Sequence, residues 1–120
     1  MNASGVGSAG VVAEYSALIA NTPPTILTDV TRYTVKSTDG AILSNCASEL
    51  ILTLPNAATC SGRTLSITAC TLMAISSANA DVYPIGVVVL MNSTIIPAGN
   101  QGKWVVLQSN GVGWLTIAAG

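Results

Sequence analysis

The stretch RTLSITACT, residues 63–71, is the clearest indication of the fold in this sequence. Leu65, Ile67 and Ala69 fall on one side of an extended chain, and hydroxyl side chains fall on the other. An alternation with a period of two is typical of a β-strand that has one face in a core and one toward water. The stretch ELILTL, residues 49–54, repeats it with three leucines, and Pro55 ends the run. Both stretches predict strands.

Short runs of this kind, separated by turn residues, continue outward from these two stretches through residues 26–120. Residues 29–36 alternate in the same way, and Asp39-Gly40 after them predicts a hairpin turn. Ser61-Gly62 predicts another turn. Asn110-Gly111 predicts the last hairpin, between strands near residues 103–108 and 114–117. Turn signals that recur about every 8–12 residues are typical of an all-β domain.

The run from Tyr83 to Met91 differs because it is apolar at nearly every position. Such a run is typical of a strand that is buried on both faces, by its own core and by a neighbour. With it, the sequence predicts about eight strands. We therefore expect an all-β protein, a small β-sandwich or jelly-roll-like domain over residues 26–120 with an extended N-terminal arm over residues 1–25.

The arm begins with ten small residues, MNASGVGSAG, and continues into VVAEYSALIA. The second stretch has apolar residues at the spacing of one helical face, and Pro23-Pro24 ends the pattern. A short helix that anchors the arm and a disordered tail both remain open, because a helix of this length is marginal alone. The residues of the apolar face are Val11, Val12, Tyr15, Leu18 and Ile19.

Charge is scarce in this chain. Charged residues make up 8% of the sequence and the net charge is −1, against roughly 25% charged residues in an ordinary soluble domain. A near-neutral surface favours association, so we expect partners to cover much of it. Four isolated cations make no phosphate-binding footprint, so we expect no nucleic acid partner.

A membrane role and secretion are also not expected. The longest apolar stretch, Ile85–Met91, is far shorter than the roughly 20 residues of a spanning helix. No cation precedes Arg32, so the sequence does not predict a signal peptide, and we expect a product that is intracellular or released by lysis.

The sequence contains few of the side chains on which catalysis usually depends. The chain has no histidine, the usual general base and the commonest metal ligand. Its five carboxylates are scattered along the sequence. Cys46, Cys60 and Cys70 are widely spaced, so they are best interpreted as small buried hydrophobes, with a Cys46–Cys60 disulfide as the alternative. We expect no enzyme, no cofactor and no metal site.

A carbohydrate site is the functional alternative from the residues themselves. Trp104, Trp114 and Tyr83 offer the aromatic surface on which a sugar ring stacks. Trp104 lies on an alternating strand, where core packing or subunit contact is favoured. Trp114 directly follows a turn, so it is predicted to be the exposed aromatic residue.

An ordered set of phrases from Tyr33 onward resembles a small β-structured module of phage virion proteins, found in tail fibres, appendages and head fibres. The resemblance implies a β-sandwich-like unit that trimerises around a threefold axis. One departure is that residues 69–80 are apolar and serine-rich where the module usually carries a polar, charged strand. The phrases are YTV (33–35), DGAIL (39–43), LTLPNAA (52–58), GRTLSI (62–67), GKWVVLQS (102–109) and NGVGWLTI (110–117).

Within a phage particle, the resemblance is closest to a capsid decoration (cement) protein. It implies a homotrimer on the capsid surface whose arm docks on the major capsid protein or a neighbouring subunit. A tail fibre or appendage, a receptor-binding (glycan-binding) module and a minor tail or neck component remain alternatives. The residues predicted for the subunit interface are Tyr83, Ile85, Val87, Val89, Met91 and Trp104.

Overall fold

The computed structural model describes residues 23–120, which form two β-sheets and one short 3₁₀ turn, Ala57–Thr59. Six strands form one sheet in the order β1-β3-β5-β9-β10-β7, and four form the other in the order β2-β4-β6-β8. The strands are β1 (Thr25–Thr28), β2 (Arg32–Thr34), β3 (Ala41–Asn45), β4 (Leu50–Thr53), β5 (Thr64–Ala69), β6 (Ile75–Ser77), β7 (Val82–Tyr83), β8 (Thr94–Ile96), β9 (Trp104–Ser109) and β10 (Trp114–Ala119). The expected all-β class is confirmed at this level, as a strand-rich fold in two sheets.

The first six strands wind as a coil. Consecutive strands alternate between the two sheets, so that β1, β3 and β5 lie in one sheet and β2, β4 and β6 in the other. Each strand pairs in parallel with the next strand of its own sheet. Every pair of successive strands therefore makes one turn of the coil, and three turns stack on one another as in a short parallel β-helix.

Antiparallel strands complete both sheets at the C-terminal side of the coil. In the larger sheet β9 pairs with β5, and β10 follows as its hairpin partner. In the smaller sheet β8 pairs antiparallel with β6. The two-residue strand β7 then adds to β10 in parallel and becomes an edge of the larger sheet. The edges of the larger sheet are therefore β1 and β7.

The core lies between the two sheets and follows the predicted alternation. Ile42, Leu65 and Ile67 of the larger sheet and Leu50 and Leu52 of the smaller sheet are fully buried. All belong to one cluster of buried hydrophobic residues. The inward faces predicted for residues 49–54 and 63–71 are thus confirmed.

Two features of the predicted topology are corrected. Asp39-Gly40 does not make a hairpin, because β2 and β3 lie in different sheets. The parallel pairing of β1, β3 and β5 also differs from a jelly roll, which is built from antiparallel strands. Alternation along one strand indicates which face is buried but does not identify the strand's neighbour. The hairpin at Asn110-Gly111 is confirmed, since β9 and β10 pair across it.

The predicted N-terminal arm falls almost entirely outside the described residues. Strand β1 already begins at Thr25, so only Pro23 and Pro24 of the arm precede it in the structure. The five residues predicted for its apolar face, Val11, Val12, Tyr15, Leu18 and Ile19, all lie outside residues 23–120.

Candidate functional site

The most prominent surface feature is the segment between β7 and β8, residues 84–91, here called the apolar loop. Its base is closed by an isolated antiparallel bridge between Val82 and Asn92. The two residues exchange backbone hydrogen bonds of 2.9 and 2.7 Å. The side chain of Asn92 accepts a further bond from the backbone N–H of Thr94 (2.9 Å). A fixed base therefore holds the loop against the edge of the larger sheet.

The tip of the loop consists of exposed apolar side chains. Val88, Val89 and Leu90 are 70%, 81% and 75% exposed, and Ile85 is 59% exposed. Single exposed apolar residues are normal on protein surfaces, but contiguous ones mark interaction sites. The nearest charged residues along the chain are Asp81 and Lys103, on either side of the loop. The loop is therefore suited to an apolar, uncharged partner surface.

The hairpin between β9 and β10 lies against the base of the loop. A Cβ atom on Gly113 would overlap the Sδ atom of Met91 and would meet the ring of Tyr83 at 3.0 Å. Met91 and Tyr83 therefore pack directly over the glycine backbone. Val112, the residue before it, is 70% exposed.

The expected strand from Tyr83 to Met91 is wrong. Only Val82–Tyr83 is a strand, and the chain then turns. Val87 N–H donates to the Pro84 carbonyl oxygen at 3.0 Å, and Gly86 between them has a φ of 77°. Pro84 cannot donate to a sheet, and glycine adopts this left-handed conformation without strain. These two residues interrupt an apolar pattern that otherwise predicts a buried strand.

The residues predicted for a subunit interface occupy three different environments. Ile85, Val89 and Met91 are exposed in the apolar loop, whereas Val87 is half-buried there and Tyr83 is buried beneath it. Trp104 lies elsewhere, on β9, which β10 separates from β7. The structure thus brings together the loop residues but does not place Trp104 among them.

Trp104 belongs instead to the outer face of the six-stranded sheet. The strand register places Ile26, Leu43, Thr68 and Trp104 side by side across β1, β3, β5 and β9. Ile26 is 61% exposed and Trp104 is 40% exposed. The outward residues on both sides of this row are uncharged as well: Thr28, Asn45, Ala41, Ser66, Val106, Ala118, Thr64, Gln108 and Leu115.

The predicted exposure of Trp114 is wrong. Its side chain is fully buried, and its indole N–H donates to the Pro55 carbonyl oxygen at 3.0 Å. The reason is its register, because Trp114 pairs with two inward residues, Ser109 of β9 and Val82 of β7. Trp104 is the exposed one of the two tryptophans, so a sugar ring could stack only there and not on Trp114.

The carboxylate of Asp39 is buried in a structural network. Its oxygens accept hydrogen bonds from the hydroxyls of Thr25 (2.6 Å) and Tyr33 (2.7 Å) and from the backbone N–H of Lys36 (2.7 Å). Burial opposes its ionisation, but these bonds prevail and hold the pKa of Asp39 below its ordinary value. Burial and the neighbouring Asp39 raise the pKa of Tyr33.

Arg63 completes this network from β5's N-terminal side. Its guanidinium donates to the backbone carbonyl oxygens of Lys36 (2.7 Å) and Asp39 (2.9 Å). All the groups therefore fix the turn between β2 and β3. A carboxylate held ionised by three donors is poorly suited to general acid catalysis.

Asp81 lies next to the apolar loop, on the other side of β7. Burial raises the pKa of its carboxyl group, although the Ser77 hydroxyl donates to it at 2.5 Å. Its backbone carbonyl accepts the N–H of Trp114 at 2.8 Å. Among the described residues, no second carboxylate joins this hydrogen-bond network. The contacts of Asp81 therefore stabilise the turn before β7.

The three cysteines are free thiols, and the alternative of a Cys46–Cys60 disulfide is not observed. Cys46 is fully buried and its thiol contacts the Leu27 carbonyl oxygen at 3.4 Å, while Cys60 and Cys70 are half-buried.

Within residues 23–120 there is no group of three His, Cys, Asp or Glu side chains that could hold a metal ion. In the same range, no helix has the length and apolar character to cross a membrane.

Comparison with known proteins adds no relative. No protein-family model matches the chain, and no curated protein or solved structure matches it significantly.

Proposed function

We propose that this chain is a structural virion protein, a capsid decoration or cement protein that trimerises and stabilises a bacteriophage head. The observation that carries the proposal is the apolar loop. Its exposed side chains lie on a fixed base at one edge of the domain. Three copies meeting at a threefold axis would bury these side chains against each other.

The size of the loop suits such an interface. Burying one valine or leucine side chain is worth about 1.5–3 kcal/mol relative to leaving it exposed. Val88, Val89 and Leu90 are each at least 70% exposed, so contact with two copies would remove them from water. Within residues 23–120, the core beneath the loop base is already filled by Trp114 and Val82, and the loop side chains stay exposed.

The sequence resemblance and the charge distribution favour a virion component. The phrases from Tyr33 onward resemble modules of phage fibres and appendages, which form sandwich-like trimers. Lys103 is the one charged residue between Val82 and Gly120, so the C-terminal third carries almost no charge to oppose close packing of copies. In this proposal, the capsid partner is the major capsid protein, which the arm of residues 1–25 contacts through its apolar face.

The oligomeric state tests the loop directly. We expect a trimer for the native chain in sedimentation equilibrium and a monomer for Val89→Asp at the same micromolar concentration. An unpaired carboxylate in an apolar interface costs several kcal/mol, and the trimer would contain three. Val30→Asp is the matched control, since Val30 is also exposed but lies between β1 and β2. A native monomer, or a trimer unchanged by Val89→Asp, would overturn the role of the loop.

Copy number tests the place in the particle. A cement protein should be present in hundreds of copies per purified particle, whereas a tail or neck component is present in a few. Quantitative mass spectrometry against the major capsid protein measures this ratio. A ratio of a few copies per particle would reject the decoration role.

The second candidate is a receptor-binding or tail-fibre module, and Trp104 is the observation that favours it. Its ring is 40% exposed on an uncharged sheet face, as a sugar-stacking residue requires. Trp104→Ala should then abolish binding in a glycan array while leaving the oligomer intact. Equal binding of native and variant protein would remove this candidate.

A further inference from the structure

The outer face of the six-stranded sheet carries a row of mainly apolar side chains, and the Trp104 ring at one end of it lies over the backbone of Gly120. The row consists of Ile26, Leu43, Thr68 and Trp104, one residue on each of four neighbouring strands. Its two ends are the exposed side chains, Ile26 at 61% and Trp104 at 40%. Leu43 between them is only half-buried. Three of the four side chains in the row are apolar, and exposed apolar side chains that lie side by side mark interaction sites.

The remainder of the chain enters the domain at one end of this row. Residues 1–22 precede Pro23, and Ile26 is only three residues further along the sequence, on the edge strand β1. Residues 11–19 contain the apolar residues spaced for one helical face, ending with Leu18 and Ile19. A segment that precedes Pro23 could therefore contact the row without crossing the rest of the domain.

Length and charge both match the row. Four strands at a spacing of about 4.8 Å make a row about 14 Å wide. Ten helical residues, 11–20, would span about 15 Å. The outward positions of the sheet are uncharged, and Glu14 is the one charged residue of the first 22. Its position places it beside the apolar face of the segment and not within it.

We propose that, in the free protein, the apolar face of residues 11–19 packs on the outer face of the six-stranded sheet of its own subunit. It covers the row from Ile26 to Trp104 and forms a third layer, on the side of the six-stranded sheet that faces away from the four-stranded sheet. This contact is independent of the apolar loop, because β1 and β7 are opposite edges of the sheet. Docking of the arm on a capsid would then require its release from the sheet.

Tryptophan fluorescence of the full chain tests the contact. Trp114 is fully buried, so quenching by acrylamide reports Trp104. In Leu18→Asp we expect a red-shifted emission and a quenching constant raised by a factor of about two or more, because the ring loses an apolar cover. Ala17→Asp is the matched control: it introduces the same side chain on the opposite face of a helix and should leave quenching unchanged.

A second pair of variants tests the sheet side of the contact. Ile26→Asp should accelerate chymotrypsin cleavage after Tyr15, whereas Thr28→Asp, also outward and exposed on β1, should not. Equal quenching in all forms, or equal cleavage rates in both β1 variants, would overturn the proposal. A contact that is lost on dilution would also overturn it, because the occupant would then be another copy's segment. None of these outcomes affects the trimer test at Val89.

Discussion

At the scale of single residues, Asp39 shows how one carboxylate organises a turn of the coil. Thr25 from β1, Tyr33 from β2 and the backbone of Lys36 all donate to it. The network therefore joins the first turn of the coil to the connection that enters the second. Aspartate followed by glycine is a common turn signal, but here it serves a longer connection between two sheets.

Replacing this carboxylate should destabilise the fold. An asparagine side chain would keep one acceptor oxygen and turn an NH₂ group toward groups that donate, so Asp39→Asn should lower the free energy of unfolding by about 1–3 kcal/mol. Urea unfolding at pH 7 measures it. Asp29→Asn is the control, because Asp29 is exposed with a φ of 57°, a conformation that asparagine also tolerates. Equal losses in both variants would contradict the prediction.

The same carboxylate should make stability depend on pH. Its pKa is lower in the folded protein than in the unfolded chain, so the unfolded state binds protons first as pH falls. The stabilisation is therefore complete above the unfolded pKa and is lost as pH falls through the folded pKa. In Asp39→Asn this part of the acid-induced loss should be missing, which unfolding curves between about pH 5 and pH 2 would reveal.

Trp114 shows which residue-scale facts sequence reasoning misses. Its position just after a hairpin turn predicts exposure, yet pairing with Ser109 and Val82 directs it into the core. The side on which a strand's first residue falls depends on the register with its neighbours. The alternation within residues 63–71 is long enough to show which face of the strand points inward. A single tryptophan at the start of a strand does not show this.

At the scale of elements, strand positions are largely predictable from the sequence and strand partners are not. Alternating apolar residues locate β4 and β5, and Asn110-Gly111 locates the hairpin between β9 and β10. The parallel coil is not predictable from these patterns, because the chain between β1 and β3, and between β3 and β5, passes through a strand of the other sheet. The apolar loop is predicted as a strand because its valines favour strands, but Pro84 and Gly86 outweigh that preference.

The contact between the loop base and the β9–β10 hairpin should be sensitive to one added methyl group. A Cβ at Gly113 would overlap the Met91 sulfur and lie 3.0 Å from the Asp81 carbonyl oxygen. Gly113→Ala should therefore displace Met91 and cost about 1–3 kcal/mol in unfolding free energy. Gly40→Ala is the control, since nothing lies within 4 Å of its Cβ position. Similar stabilities of the two variants would contradict the prediction and show that Met91 can move away from residue 113 at little cost in free energy.

At the scale of the whole molecule, the scarcity of charge has a specific location. Lys103 is the only charged residue beyond Asp81, and this part of the chain contains the apolar loop, the β9–β10 hairpin and Trp104. Arg32 and Glu49 lie on the outward side of the four-stranded sheet or beside it. The two sheets therefore present different surfaces, and the uncharged one belongs to the larger sheet with its loop edge.

This distribution predicts how self-association should respond to salt. If the apolar loop forms the trimer interface, no ion pair within it can be screened, since residues 82–102 contain no charge. Raising sodium chloride from about 0.05 to 0.5 M should then change the association constant by less than about threefold, as expected of apolar burial. Ammonium sulfate should strengthen association, because excluded salts favour burial of apolar surface. Sedimentation equilibrium measures both, with Val89→Asp as the control. A trimer that dissociates in sodium chloride would instead be held by the few charges at Arg32, Glu49 and Lys103, and its interface would then lie on a different surface from the loop.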